Sequence, residues 1–220
     1  MSKVLITGDK GYIGIKLKTY LKKKKIKTLT FEKKINKDLI KTKNLPLADI
    51  VVHLAAKTNV PESWDYKNDY IIHNVNSTKY ILDYCVKNKS RLIFISSYLY
   101  GNTTKIPTNE KTKLKTLNPY SLSKKICEDM CYFYEKNYGL ELIVIRPFNV
   151  YGPDQNNSWL IPNIINQIRN KNEVTLMSVN QKRDYIYVDD FADLIYTLIM
   201  KNLKKGTFNL GSGKSYSIKS

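Results

Sequence analysis

With 220 residues, the chain can build one sizeable core and part of a second unit. No run is long and apolar enough to span a bilayer, and no signal-peptide pattern opens the chain, so a cytoplasmic, membrane-free protein is expected. The formal net charge of +18 would suit nucleic acid, but the lysines are scattered and no recognition helix or aromatic-basic motif accompanies them. They read as solvated faces that attract anionic substrates, with no nucleic-acid partner.

Val4 to Thr7 is a short apolar strand. It runs into Gly8-Asp9-Lys10-Gly11-Tyr12-Ile13-Gly14, and an amphipathic helix follows (Ile13, Leu17, Tyr20, Leu21). Three glycines spaced three apart allow a sharp turn, close approach of a pyrophosphate and tight packing of helix on strand. The N–H groups at the helix start then face the phosphates. A second strand, Thr28 to Glu32, ends in an acid roughly 20 residues after the loop, where a carboxylate meets the adenosine ribose. Glu32 would repel a 2′-phosphate, so NAD is expected rather than NADP.

Lys33 to Lys43 is a polar link. Ile50 to Ala56 is a continuous apolar run, the mark of a parallel strand covered on both faces, and its His53 reads as a packed core residue. Pro61 to Tyr66 is expected to be loop and Asp69 to Asn88 a helix, with Asn74 and Asn76 either solvated or bonded to a buried neighbour. Arg91 to Ser97 is a strand, Gly101 to Asn118 a polar stretch, and Pro119 to Tyr138 a helix stopped by Gly139. Glu141 to Ile145 is a further strand, leading into Arg146-Pro147.

Strands and helices thus alternate to about residue 150, which predicts a doubly wound parallel sheet. Its ligands bind beyond the carboxyl ends of the strands, at Thr7-Gly8, Glu32, Ala55-Ala56, Ser96-Ser97 and Arg146-Pro147. The remainder predicts a helix over 161–169, short strands at 174–177 and 185–188, a helix over 189–200 and a strand over 207–210. Cys85, Cys127 and Cys131 are an odd set without ligand spacing and read as buried packing residues, and no metal site is expected.

Tyr120 and Lys124 lie one turn apart on a helix face that reaches the rim. An unperturbed tyrosine is a poor base at neutral pH, with a pKa near ~10. A neighbouring ammonium and an oxidised nicotinamide would stabilise the phenolate. Ser96, at a nearby strand end, can hold the same substrate oxygen in line.

The combination resembles the extended short-chain dehydrogenase/reductases, and within them the NAD-dependent nucleotide-sugar epimerase/dehydratase family. The similarity is carried by the glycine loop 8–14, by His53-Leu54-Ala55-Ala56 and by Tyr120-Ser121-Leu122-Ser123-Lys124. Arg146 to Pro153 and Arg183 to Asp190 carry two later motifs. The resemblance implies a Rossmann-type NAD domain over 1–150, with a partial substrate-binding region over 151–220 interleaved with it. It implies cofactor contacts at Gly8, Gly11, Tyr12, Ile13, Gly14, Glu32, Asp38, Leu39, Leu54, Ala55, Ala56, Tyr120, Lys124 and Pro147. The sugar nucleotide is expected to meet Ser96, Tyr120, Asn149 and Arg183. The family's serine or threonine stands four before the tyrosine of a Tyr-Gly pair; with Tyr100-Gly101 as that pair, it is Ser96 rather than Ser97. Helices 69–88 and 119–138 are expected to pair with their copies in a homodimer.

Three departures stand out: the segment between Glu32 and Asp38 is short, Tyr187 replaces a histidine, and the chain ends at Ser220 where the family continues into more of the substrate lobe. The expected activity is a nucleotide-sugar 4-epimerase. The alternatives are a 4-keto-sugar reductase and a catalytically silent NAD-binding module. A 4,6-dehydratase is disfavoured, because its Asp-Glu acid/base pair is replaced by Ser97-Tyr98.

Overall fold

Side chains alternate between the two faces of a strand, so a strand buried on both sides is apolar at nearly every position. Four strands of the chain are of this kind. The computed structural model describes residues 2–30, 45–101, 107–171, 174–176, 181–201 and 203–218. Among these, β1 (Val4–Thr7), β3 (Ile50–His53), β4 (Arg91–Ile95) and β5 (Leu142–Pro147) are buried throughout. With β2 (Thr28–Thr30) and β8 (Gly206–Leu210) they form a parallel sheet in the order β2-β1-β3-β4-β5-β8.

The alternation sorts the core into two layers. Val4, Ile6, Val52, Ile93 and Ile145 pack with Leu17 and Leu21 of α1 (Tyr12–Lys23) and with Phe191 and Ile195 of α6 (Val188–Met200). Leu5, Val51, Leu92, Phe94 and Val144 pack instead with Ile81 and Cys85 of α3 (Lys67–Asn88) and with Cys127 and Cys131 of α4 (Pro119–Tyr138). The three cysteines are free, buried thiols, as their sequence context indicates. His53 is a core residue too, sharing hydrogen bonds with Thr7 Oγ1 at 2.7 Å and Thr78 Oγ1 at 3.2 Å. Burial, with Lys124 as a second cause, lowers its pKa to about 3.

Most elements fall where periodicity puts them, with three corrections. Residues 60–65 are a short helix, α2 (Val60–Asp65), and not a loop. Pro61 sits in its first turn, where a missing N–H costs nothing, and the Asn59 side chain caps the Glu62 N–H at 3.1 Å. No strand forms over 174–176; the Gln167 side chain of α5 (Leu160–Lys171) takes both the N–H and the carbonyl of Thr175, so no ladder partner is needed. Two strands are unforeseen: β6 (Asn149–Tyr151), which pairs with one edge of β7 (Lys182–Tyr187), and β9 (Ser215–Ser217), which runs antiparallel to the other. Asp184 anchors that return: its carboxylate accepts from the Ser212 and Gly213 N–H groups at 2.7 and 2.9 Å.

Asn74 and Asn76 resolve in opposite ways, Asn76 to solvent and Asn74 to the interior. The Asn74 amide takes the Lys57 N–H and donates to the Lys57 carbonyl and to Ser123 Oγ, tying α3 to α4. No helix among the described residues is long and apolar enough to cross a membrane.

Candidate active site

Strand order reverses between β1 and β3, and the crevice beyond their carboxyl ends is where open α/β sheets take ligands. The glycine loop lies there. Gly8 has φ +74°, and a Cβ on it would meet the Ala55 nitrogen at 2.8 Å; one on Gly14 would meet the Gly8 carbonyl oxygen at 2.1 Å. Neither position admits a side chain. Gly11 caps α1 without any side-chain cap bond, and no acid occupies the first turn, so the N–H groups of Tyr12 and Ile13 begin a helix open to an anion. This cradle fits a dinucleotide's pyrophosphate, with Leu54, Ala55 and Ala56 beside it at the end of β3. Asp9 is a buried acid in the loop, 5 % exposed, with Oδ2 3.4 Å from Lys18 Nζ. Tyr12 turns its hydroxyl inward beside Gly152, and burial raises its pKa to about 12. Glu32, Asp38 and Leu39 lie outside the described residues.

The start of α4 is held by a reciprocal cap. Asn118 Oδ1 accepts from the Ser121 N–H at 2.8 Å, and Ser121 Oγ accepts from the Asn118 N–H at 3.1 Å. Two residues into the helix stands Tyr120, half-buried; one turn on is Lys124, 4 % exposed. Lys124 Nζ donates to the Ile95 carbonyl at 2.5 Å and lies 4.5 Å from the centre of the Phe94 ring. Burial lowers the pKa of that amine. It raises the Tyr120 phenol to about 12, against a hydrogen bond with Ser97 that pulls the other way. For Tyr120 burial outweighs any lowering by a nearby ammonium.

The Tyr120 phenol shares a hydrogen bond with the Ser97 side chain. Ser96 is 3 % exposed, and its Oγ has no partner.

Pro147 ends β5, and its carbonyl accepts from the Tyr98 N–H at 3.2 Å. Asn149 and Arg183 lie on adjoining strands, β6 and β7. The Asn149 amide donates to the Asp184 carbonyl at 2.8 Å and accepts from the Tyr98 hydroxyl at 3.2 Å, leaving one N–H and one lone pair free for a ligand. Arg183 Nη2 donates to Gln181 Oε1 at 2.8 Å. Arg146 points inward: its guanidinium holds Glu128 of α4 through Nη2 at 2.7 Å and Nε at 3.0 Å, and Nη1 reaches Tyr100 Oη at 3.0 Å.

The NAD dependent epimerase/dehydratase family matches residues 4–211. GDP-6-deoxy-D-talose 4-dehydrogenase of Aggregatibacter actinomycetemcomitans is 32% identical over 98% of this chain and 76% of its own length. The dTDP-D-glucose 4,6-dehydratase of Dictyostelium discoideum is 28% identical over 96% of this chain, which spans only 58% of that protein. A solved UDP-glucuronic acid 4-epimerase from Bacillus cereus, in complex with UDP-glucuronic acid and NAD, superposes with a TM-score of 0.85 at 26% identity. That superposition covers 99% of this chain and 80% of the other.

Proposed function

The chain belongs to the NAD-dependent epimerase/dehydratase family, and from that premise we propose that it is a nucleotide-sugar 4-epimerase. The observation that carries the proposal is Tyr120, with the Ser97 hydroxyl on it and Lys124 one turn behind, on the rim that also bears the glycine cradle. NAD, when bound, accepts a hydride from C4 of the sugar and returns it. Tyr120 takes the proton from the C4 hydroxyl, and Ser97 holds that oxygen in line. Lys124 lies one turn behind, fixed to the Ile95 carbonyl. Asn149 and Arg183 are assigned to the diphosphate side, with their remaining donors. After C4 becomes a carbonyl the sugar turns over, the hydride returns to the other face of C4, and the same phenol gives the proton back to the C4 oxygen.

The test is turnover of UDP-galactose, and of the GDP, CDP and dTDP analogues, with no cofactor added beyond what co-purifies. Tyr120→Phe is expected to cut turnover by at least about 100-fold and Ser97→Ala by about tenfold or more, while Ser96→Ala stays near wild type. Turnover undiminished in Tyr120→Phe would end the proposal. The similarity to a 4-dehydrogenase supports a second reading, reduction of a 4-keto sugar. Stoichiometric loss of NADH absorbance with such a sugar would select it. NAD binding without turnover of any of these substrates would leave a binding module. The outer faces of α3 and α4 carry exposed Ile72, Leu122 and Phe133, and this supports a homodimer through these helices.

A further inference from the structure

Tyr98, beyond the end of β4, is a large aromatic left 38 % exposed at the rim, directly after the serine that meets Tyr120. It is not loose. Its ring stacks on Phe148 with centroids 5.3 Å apart and planes within 5°, so one face is fixed and the phenol cannot swing. Phe148 is itself held: its N–H donates to the Leu210 carbonyl at 2.8 Å, and a Cβ on Gly211 would lie 3.1 Å from its ring. The Tyr98 hydroxyl is committed to Asn149 Oδ1 at 3.2 Å, which locks the remaining torsion. Its phenol lies within electrostatic reach of both Tyr120 and Tyr185.

A buttressed aromatic with an outward face beside a reacting phenol is a platform for a flat, partly apolar ligand. We propose that Tyr98 is a specificity-determining residue whose exposed ring face packs against the hexose of the nucleotide sugar. The inference rests on the epimerase reading of the same site and goes beyond it by naming the residue that holds the sugar rather than the diphosphate. A pyranose presents C–H groups on one face and hydroxyls at its edge. The ring takes the first, leaving the C4 hydroxyl directed to Ser97 and Tyr120.

The test is calorimetric binding to the full chain of UDP-glucose, GDP-mannose and dTDP-glucose, each beside its free nucleoside diphosphate. Two variants are compared: Tyr98→Phe, which keeps the ring, and Tyr98→Leu, which removes it. For the tightest sugar nucleotide, Tyr98→Leu is expected to weaken binding roughly three- to tenfold. Binding of the matching diphosphate and of NAD should stay within about twofold, a difference that damage to the lobe would not produce. Tyr98→Phe should stay near wild type. Equal weakening of diphosphate and sugar nucleotide, or no weakening of either, overturns the assignment of Tyr98 while leaving the epimerase proposal standing. No binding of any sugar nucleotide by the wild-type chain removes both.

Discussion

His53 shows how burial alone converts a residue's chemistry. Its folded pKa, about 3, lies below the ordinary value of 6.5. Between those pH values the unfolded chain binds a proton that the folded chain refuses. Stability is therefore complete above about pH 6.5 and falls as pH drops toward 3, by about 1.4 kcal/mol per pH unit from this one group. Urea midpoints at pH 7, 6, 5 and 4 should show that slope, and His53→Gln should remove one proton's worth of it. An unchanged slope would mean that the imidazole is protonated in the native protein. The role of His53 was readable from its apolar neighbours, because a lone polar residue in a continuous apolar strand must find its partners inside. Ser96 and Ser97 were not separable in that way. Adjacent serines are chemically identical, and local periodicity does not choose between them.

Among the elements, α4 carries the heaviest constraint. It is capped at Asn118, closed by Gly139 in the left-handed conformation with φ +68°, and clamped to β5 by the Glu128–Arg146 pair. Glu128 is 0 % exposed and Arg146 4 %, so removing one partner strands a charge in the core. Glu128→Gln or Arg146→Met is expected to cost about 3–5 kcal/mol in chemical unfolding, whereas the apolar double replacement Glu128→Leu/Arg146→Met should recover much of it. A single replacement costing less than about 1 kcal/mol would contradict a charged pair at that site. The helix boundaries were legible, since Pro119 and Gly139 mark them chemically. The pairing was not: Arg146 sits in sequence beside rim residues, and only the alternation of β5 against α4 turns it inward. The α2 helix escaped for a related reason, because a proline reads as a breaker until an asparagine cap shows it to be a start.

For the molecule as a whole, 37 basic against 19 acidic side chains leave a field that favours anionic ligands and weakens with salt. The proposed dimer is tested at Phe133, 56 % exposed on α4. Phe133→Asp should lower the light-scattering mass from twice the chain mass to once, with no loss of NAD binding, because the glycine cradle lies at the strand ends by α1. A monomeric wild-type chain would exclude the pairing.

Two kinds of information can be told apart in this protein. Sequence alone was enough for the parallel sheet, the glycine cradle and the Tyr120–Lys124 pair, because each depends on local periodicity or on residues within one turn of each other. The tertiary structure alone decided that Ser97 meets Tyr120, that Asp184 anchors a ninth strand, that Arg146 is internal and that Tyr98 is braced by Phe148. Those contacts join segments distant in the chain, and their geometry is set by tertiary packing.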